Sequence, residues 1–177
     1  FAHPIVDLYG LEGIRRVGES LLKAVTNGSD VEARTKMSMA SLLGGLCLAP
    51  VNTAAVHALS YPLGSEFHIA HGVSNAVLLP HVLRFNLPAA PERYANIALA
   101  LGVQPGRTPV ETAEWGLQKI EQLSCDCGIP QHMADLGVPE DAIPRRAQAA
   151  MKGTRRLMNN LRELTAADAE AIYRAAY

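Results

Sequence analysis

The sequence predicts an all-α fold, a bundle of packed helices built from 177 residues. Three observations predict it. The chain is 49% hydrophobic but only 5% aromatic, with Ala and Leu dominant, a mix that favours packed helices over sheets. Apolar residues recur at the spacing of one helix face through most of the chain. No Val/Ile/Thr alternation of useful length interrupts them, so no sheet is expected. The length suits a single domain over residues 1–177, and neither an internal repeat nor a low-complexity tract divides it.

The elements follow in order. Pro4 suits the first turn of a helix, where its missing N–H costs nothing. Ile5, Leu8, Leu11, Ile14, Val17, Leu21 and Leu22 continue that helix until Asn27-Gly28 stops it. Asp30 can cap a second helix, which is apolar on most faces from Met37 to Leu48 and breaks at Pro50-Val51-Asn52. A short third helix is expected over Thr53 to Tyr61, ended by Pro62 and Gly64. A fourth is expected over His71 to Phe85, kinked by Pro80, followed by a linker at Pro88 to Pro91. Arg93 to Leu101 reads as helix ending at Gly102, and Pro109 to Cys127 as a long amphipathic helix ending at Gly128. A turn at Gly137-Val138-Pro139 leads to a helix reaching Met151. Thr165, with Asp168 three residues on, has the spacing of a capping box opening a final helix. The breaks between helices are short, which favours antiparallel neighbours.

The formal net charge of −1 points to neither nucleic acid nor an anionic membrane as partner. Arg145, Arg146, Lys152, Arg155, Arg156 and Arg162 cluster towards the C-terminus and read as solvated helix faces. The three cysteines include Cys125 and Cys127, but no second pair completes a zinc site; all three read as structural thiols of a reducing, cytoplasmic compartment. The apolar run at Met37 to Pro50 is too short to span a bilayer, and no charged segment precedes an apolar one to make a signal peptide. The chain opens at Phe1 rather than Met, which reads as a fragment or a processed product.

The stretch from Val56 to His81 carries the chemistry. Four of the six histidines fall within its last 25 residues, and imidazole is the commonest nitrogen donor to divalent transition metals. His68 and His71 are three apart and could share a face if both were helical, although Phe67 to Ala70 reads as loop. His57, from the helix before that loop, could instead converge with His71, from the helix after it. Spacing alone leaves both pairings open, together with a reading in which these are hydrogen-bonded core or surface histidines.

The segment also resembles the signature of the iron-containing (group III) alcohol dehydrogenases. The resemblance lies at His57, Pro62-Leu63-Gly64, His71-Gly72, Asn75-Ala76 and Leu78-Leu79-Pro80-His81. The match there is ungapped, and the resemblance extends outward to Pro4 to Ile14, Tyr94 to Gly102, Cys127 to Pro130 and Asn160 to Asp168, and so covers nearly the whole chain. It implies the helical, metal-binding C-terminal domain of such an enzyme. In that family one divalent ion, usually iron and sometimes zinc, is held by an Asp and three His. By resemblance, His57 and His71 are the last two of those ligands. The resemblance further implies hydride transfer between a small alcohol or aldehyde and NAD or NADP, with the ion as Lewis acid, and assembly into a homo-oligomer. The family's Asp-x-x-x-His segment and its nucleotide-binding N-terminal domain find no counterpart here, so the chain alone is expected to be inactive.

Tyr61 stands where many members carry a His near the nicotinamide. A phenol with a pKa near 10 relays protons poorly at neutral pH. His68 falls behind the metal ligands, on the substrate side, or in solvent; His81 reads as a packed histidine. Related maleylacetate reductases often have His-Ala where this chain has His71-Gly72, which favours simple alcohols and aldehydes. The alternative function is a non-catalytic helical assembly domain or gene remnant, with an apolar patch exposed where the missing domain would dock.

Overall fold

The computed structural model describes residues 3–177 and contains no strand among them. Nine α-helices follow in order: α1 (Pro4–Thr26), α2 (Val31–Val51), α3 (Ala55–Phe67), α4 (His71–Asn86), α5 (Pro91–Ala100), α6 (Pro109–Asp126), α7 (Ile143–Ala150), α8 (Thr154–Leu157) and α9 (Ala166–Ala175). No single described helix is long and apolar enough to cross a membrane. The helices fall into two compact units: one holds the chain up to Asn52 together with Ala90–Cys127, the other Thr53–Ala89 with Gly128–Tyr177.

The first unit is built on α1, α2, α5 and α6. His3 opens α1 by accepting the Ile5 N–H on its Nδ1 (3.3 Å), and Asp30 opens α2 by accepting the Ala33 N–H (2.9 Å). Antiparallel contact between α1 and α2 is set by Gly13, which lies against the Ala40 carbonyl, and by the Cys47 thiol, which donates to the Val6 carbonyl at 3.5 Å. Helices α5 and α6 cross most closely at Gly116: a Cβ there would lie 2.5 Å from that of Ala98, so only glycine fits. Arg93 of α5 reaches Asp7 of α1 through both guanidinium ends, at 2.8 and 3.1 Å.

The second unit packs α3, α4, α7 and α9 around one apolar core. Leu59 and Leu63 of α3, Val77, Leu78 and Val82 of α4, Ile143 of α7, and Ile172 and Tyr173 of α9 are all buried there. The Tyr173 hydroxyl donates to the Leu59 carbonyl at 2.5 Å, and burial pushes its ionisation well above the usual phenol value. Thr165 and Asp168 form the expected capping box, each side chain taking the other's backbone N–H.

Two expectations fail in this unit. Helix α3 does not stop at Pro62 and Gly64 but continues to Phe67. Proline inside a helix costs about 3 kcal/mol. Continuing the helix buries Pro62 and Leu63 beside Leu59, and one fully buried leucine recovers about 1.5–3 kcal/mol. Local propensity therefore loses to the core. The C-terminal arginines are also not uniformly solvated. Arg146 is buried against Glu66, which Arg145 shares at 2.6 Å. Arg156 is half-buried on α8, an element absent from the sequence reading.

Candidate functional site

The second unit brings His57, Tyr61 and His71 together. His57 lies in the first turn of α3, Tyr61 one turn later, and His71 is the first residue of α4. Between the helices His68 adopts a left-handed conformation (φ 54°, ψ 25°) and closes α3, so the chain reverses within three residues. The His57 and His71 ring centres lie 5.3 Å apart, and Tyr61 and His71 are separated by the same 5.3 Å. His68 is exposed and makes no ring contact with these three among the described residues. His81 is half-buried on α4. The sequence left two pairings open, and among the described residues the fold brings the ring of His57, not that of His68, beside His71, the two planes tilted by 59°.

Asn75, one turn after His71, donates its amide to the His71 Nε2 at 3.0 Å and to the His71 carbonyl at 2.9 Å. A flipped amide would set its oxygen against that carbonyl, two acceptors facing each other, so the donor assignment stands on geometry. The His71 Nε2 is thus an acceptor whose lone pair is available to a cation in competition with Asn75. The Asn75 carbonyl oxygen is buried without a hydrogen-bond partner among the described residues. Burial, then the neighbouring His71 and Arg156, hold His57 below the usual imidazole value, which keeps its ring neutral.

Helix α8 frames the other side. Gly153 lies against Ala58 of α3, and the Asn159 amide donates to the Thr53 carbonyl at 3.2 Å. Held at both ends, α8 lays the Arg156 guanidinium over the Tyr61 ring, 4.1 Å from its centre. Sequence reasoning missed Arg156 because its partner is an aromatic face supplied from far along the chain.

The two imidazoles fit a divalent metal as part of a ligand set. Rings bound at about 2.1 Å to one tetrahedral ion have centres about 5 Å apart, close to the observed spacing. No third His, Cys, Asp or Glu joins them among the described residues, so the set is incomplete within this chain.

The family sequence profile described as "Fe-containing alcohol dehydrogenase family, C-terminal" matches residues 1–177. The 1,3-propanediol dehydrogenase of Klebsiella pneumoniae is 41% identical over 99% of this chain and 46% of its own length. A crystal structure of 1,3-propanediol oxidoreductase superposes with a TM-score of 0.96 at 41% identity, again over 99% of this chain and 46% of that one. Sulfoacetaldehyde reductase from Bifidobacterium kashiwanohense, solved in complex with NAD+, superposes with a TM-score of 0.83 at 25% identity, over 98% of this chain and 44% of its own. The chain therefore spans about half the length of the relatives it matches.

Proposed function

This chain belongs to the iron-containing alcohol dehydrogenase family, and from that premise we propose that it supplies the C-terminal, metal-binding half of an NAD(P)-dependent alcohol dehydrogenase or aldehyde reductase. The observation that carries the reading is the facing pair of imidazoles on α3 and α4. His57 and His71 would hold the ion, iron or zinc, with further ligands from the remainder of a longer protein. When bound, such an ion supplies Lewis-acid polarisation of an alcohol or aldehyde oxygen, with hydride exchanged with a nicotinamide.

The chain's own residues contribute binding and orientation. The lowered affinity of His57 for protons leaves its lone pair available for a ligand at neutral pH. Asn75 donates to the His71 Nε2, so an ion bound at that nitrogen would displace the amide. Tyr61, exposed beside His71, offers a hydroxyl that can hydrogen-bond a substrate oxygen.

Titration with Fe2+ or Zn2+ tests the reading. The protein should bind one ion weakly, as two imidazoles do, and His57→Ala or His71→Ala should abolish binding with the helical content intact. Adding the N-terminal half of a close relative should tighten binding and restore alcohol-dependent NAD(P)+ reduction. Metal binding indifferent to both substitutions would overturn the assignment and favour the assembly-domain reading.

A further inference from the structure

Most arginines on the second unit have an acceptor. Arg145 and Arg146 share Glu66, Arg174 holds Glu170, and Arg162 donates to the Phe85 carbonyl. Arg155 is exposed to solvent. Arg156 differs from all of these. It is half-buried and fixed over Tyr61 on a short helix flanked by the contacts of Gly153 with Ala58 and of Asn159 with Thr53, yet no carboxylate or carbonyl meets its fork of N–H donors among the described residues. The ring it covers satisfies its face and leaves its donor edge unused.

The surroundings do not neutralise it. No ion pair joins Arg156 to an Asp or Glu among the described residues, and its guanidinium supplies the positive charge of the surface it shares with Tyr61, His57 and His71. A ligand can reach that surface, because Tyr61 is 47% exposed and His71 is exposed as well. The guanidinium stands 4.1 Å from the Tyr61 ring, and that ring 5.3 Å from His71. One short carbon chain can therefore reach from the imidazole pair to the Arg156 fork.

We propose that Arg156, stacked on Tyr61 beside the His57–His71 pair, is a carboxylate-binding subsite, and that the substrate is a short aldehyde or alcohol carrying a carboxylate at its far end. The substrate class rests on the oxidoreductase reading above; the subsite itself does not. Arg156 selects and orients by accepting a planar carboxylate on two parallel N–H donors, a geometry that lysine does not reproduce.

The test is an NMR titration of the protein with butanoate and with the neutral, similarly shaped butanamide, followed by steady-state kinetics on the metal-loaded protein completed as above. Butanoate should shift the His71 ring and Arg156 side-chain signals saturably, and butanamide should not. Arg156→Leu should weaken butanoate binding roughly tenfold or more, the loss expected for a charge-assisted hydrogen bond. Arg156→Lys should retain part of the binding, and Arg155→Leu should bind as the parent does; unchanged helical circular dichroism shows that each variant folds. In kinetics, a preference for succinic semialdehyde over butanal should vanish in Arg156→Leu through a raised KM. Equal butanoate binding by the parent and Arg156→Leu, or an equal loss in Arg155→Leu, overturns the subsite. A raised KM for NADPH with no change for the oxo acid also overturns it, because the anion would then be the nucleotide's phosphate. If butanoate binds at Arg156 and no aldehyde of any kind is reduced, the subsite stands and the oxidoreductase reading falls.

Discussion

The two units are both helical but hold themselves together differently. In the first, α1 and α2 leave Leu8, Val31, Leu42, Leu46 and Leu48 more than half exposed or close to it (69%, 76%, 57%, 49% and 53%), and ion pairs line the surface. Arg15 bridges Glu12 and Glu19, and its hydrogen bond holds the Glu12 carboxyl down to about 2. In the second, one continuous core runs from Ala55 to Ala176. His57, Tyr61 and His71 all stand on the second unit. Side chains proposed to hold a ligand need supports that do not yield, and a packed core provides them where a row of surface ion pairs does not.

Four measurements can break or sharpen that contrast. The largest effect should come from core truncation. Leu78→Ala in the second unit should lower unfolding free energy by about 2–5 kcal/mol, whereas Leu42→Ala in the first should change it by about 0.5 kcal/mol or less, both read from urea denaturation. Comparable losses would show that the first unit depends equally on apolar burial.

Next come the charges. Glu66→Gln strands the buried Arg146 and should cost about 1–3 kcal/mol, less than for a fully buried pair because Glu66 is partly exposed. Glu12→Gln weakens surface pairs with Arg15 and Arg16 that solvent reaches and should change the urea midpoint little.

A smaller effect should follow from the α9 cap. Thr165→Ala should cost about 1 kcal/mol. Hydrogen bonds from the Thr165 side chain and backbone hold Asp168 below the usual carboxylate value. Its contribution is therefore present above the unfolded value near 3.9 and lost as pH falls through the lower folded value. The difference between parent and variant should shrink in acid.

The smallest concerns His57. Its folded pKa is depressed, so the unfolded chain takes up a proton first as pH falls below about 6.5. The second unit should lose stability from that point downward, and His57→Asn should flatten the dependence between pH 7.5 and 5.5. An unaltered slope would mean that the ring is solvated.

Much of this architecture is legible in the sequence, and the exceptions have one cause. Asp30, Thr165 and Asp168 cap as expected, and Gly102, Gly128 and Gly137 take positive φ where helices or turns end, because each of these features is settled within a few residues. Pro62 inside α3, buried Arg146, and Arg156 over Tyr61 are settled by residues dozens of positions away. The histidine cluster pointed to the region of the proposed site. Choosing between His57 and His68 as the companion of His71 required the left-handed turn at His68, which histidine adopts only when the surrounding packing favours it.

The hydroxyl of Tyr173 on the carbonyl of Leu59 also has a consequence in time. The two residues are 114 positions apart, and residues 90–127 between them belong to the other unit. A ribosome adding about 5–20 residues each second takes roughly 6–20 s to cover that distance. Throughout that interval α3, with His57 and Tyr61 already made, has no α9 to close over it. Its apolar face is open to chaperones, and to other nascent chains, for longer than most small helical domains take to fold.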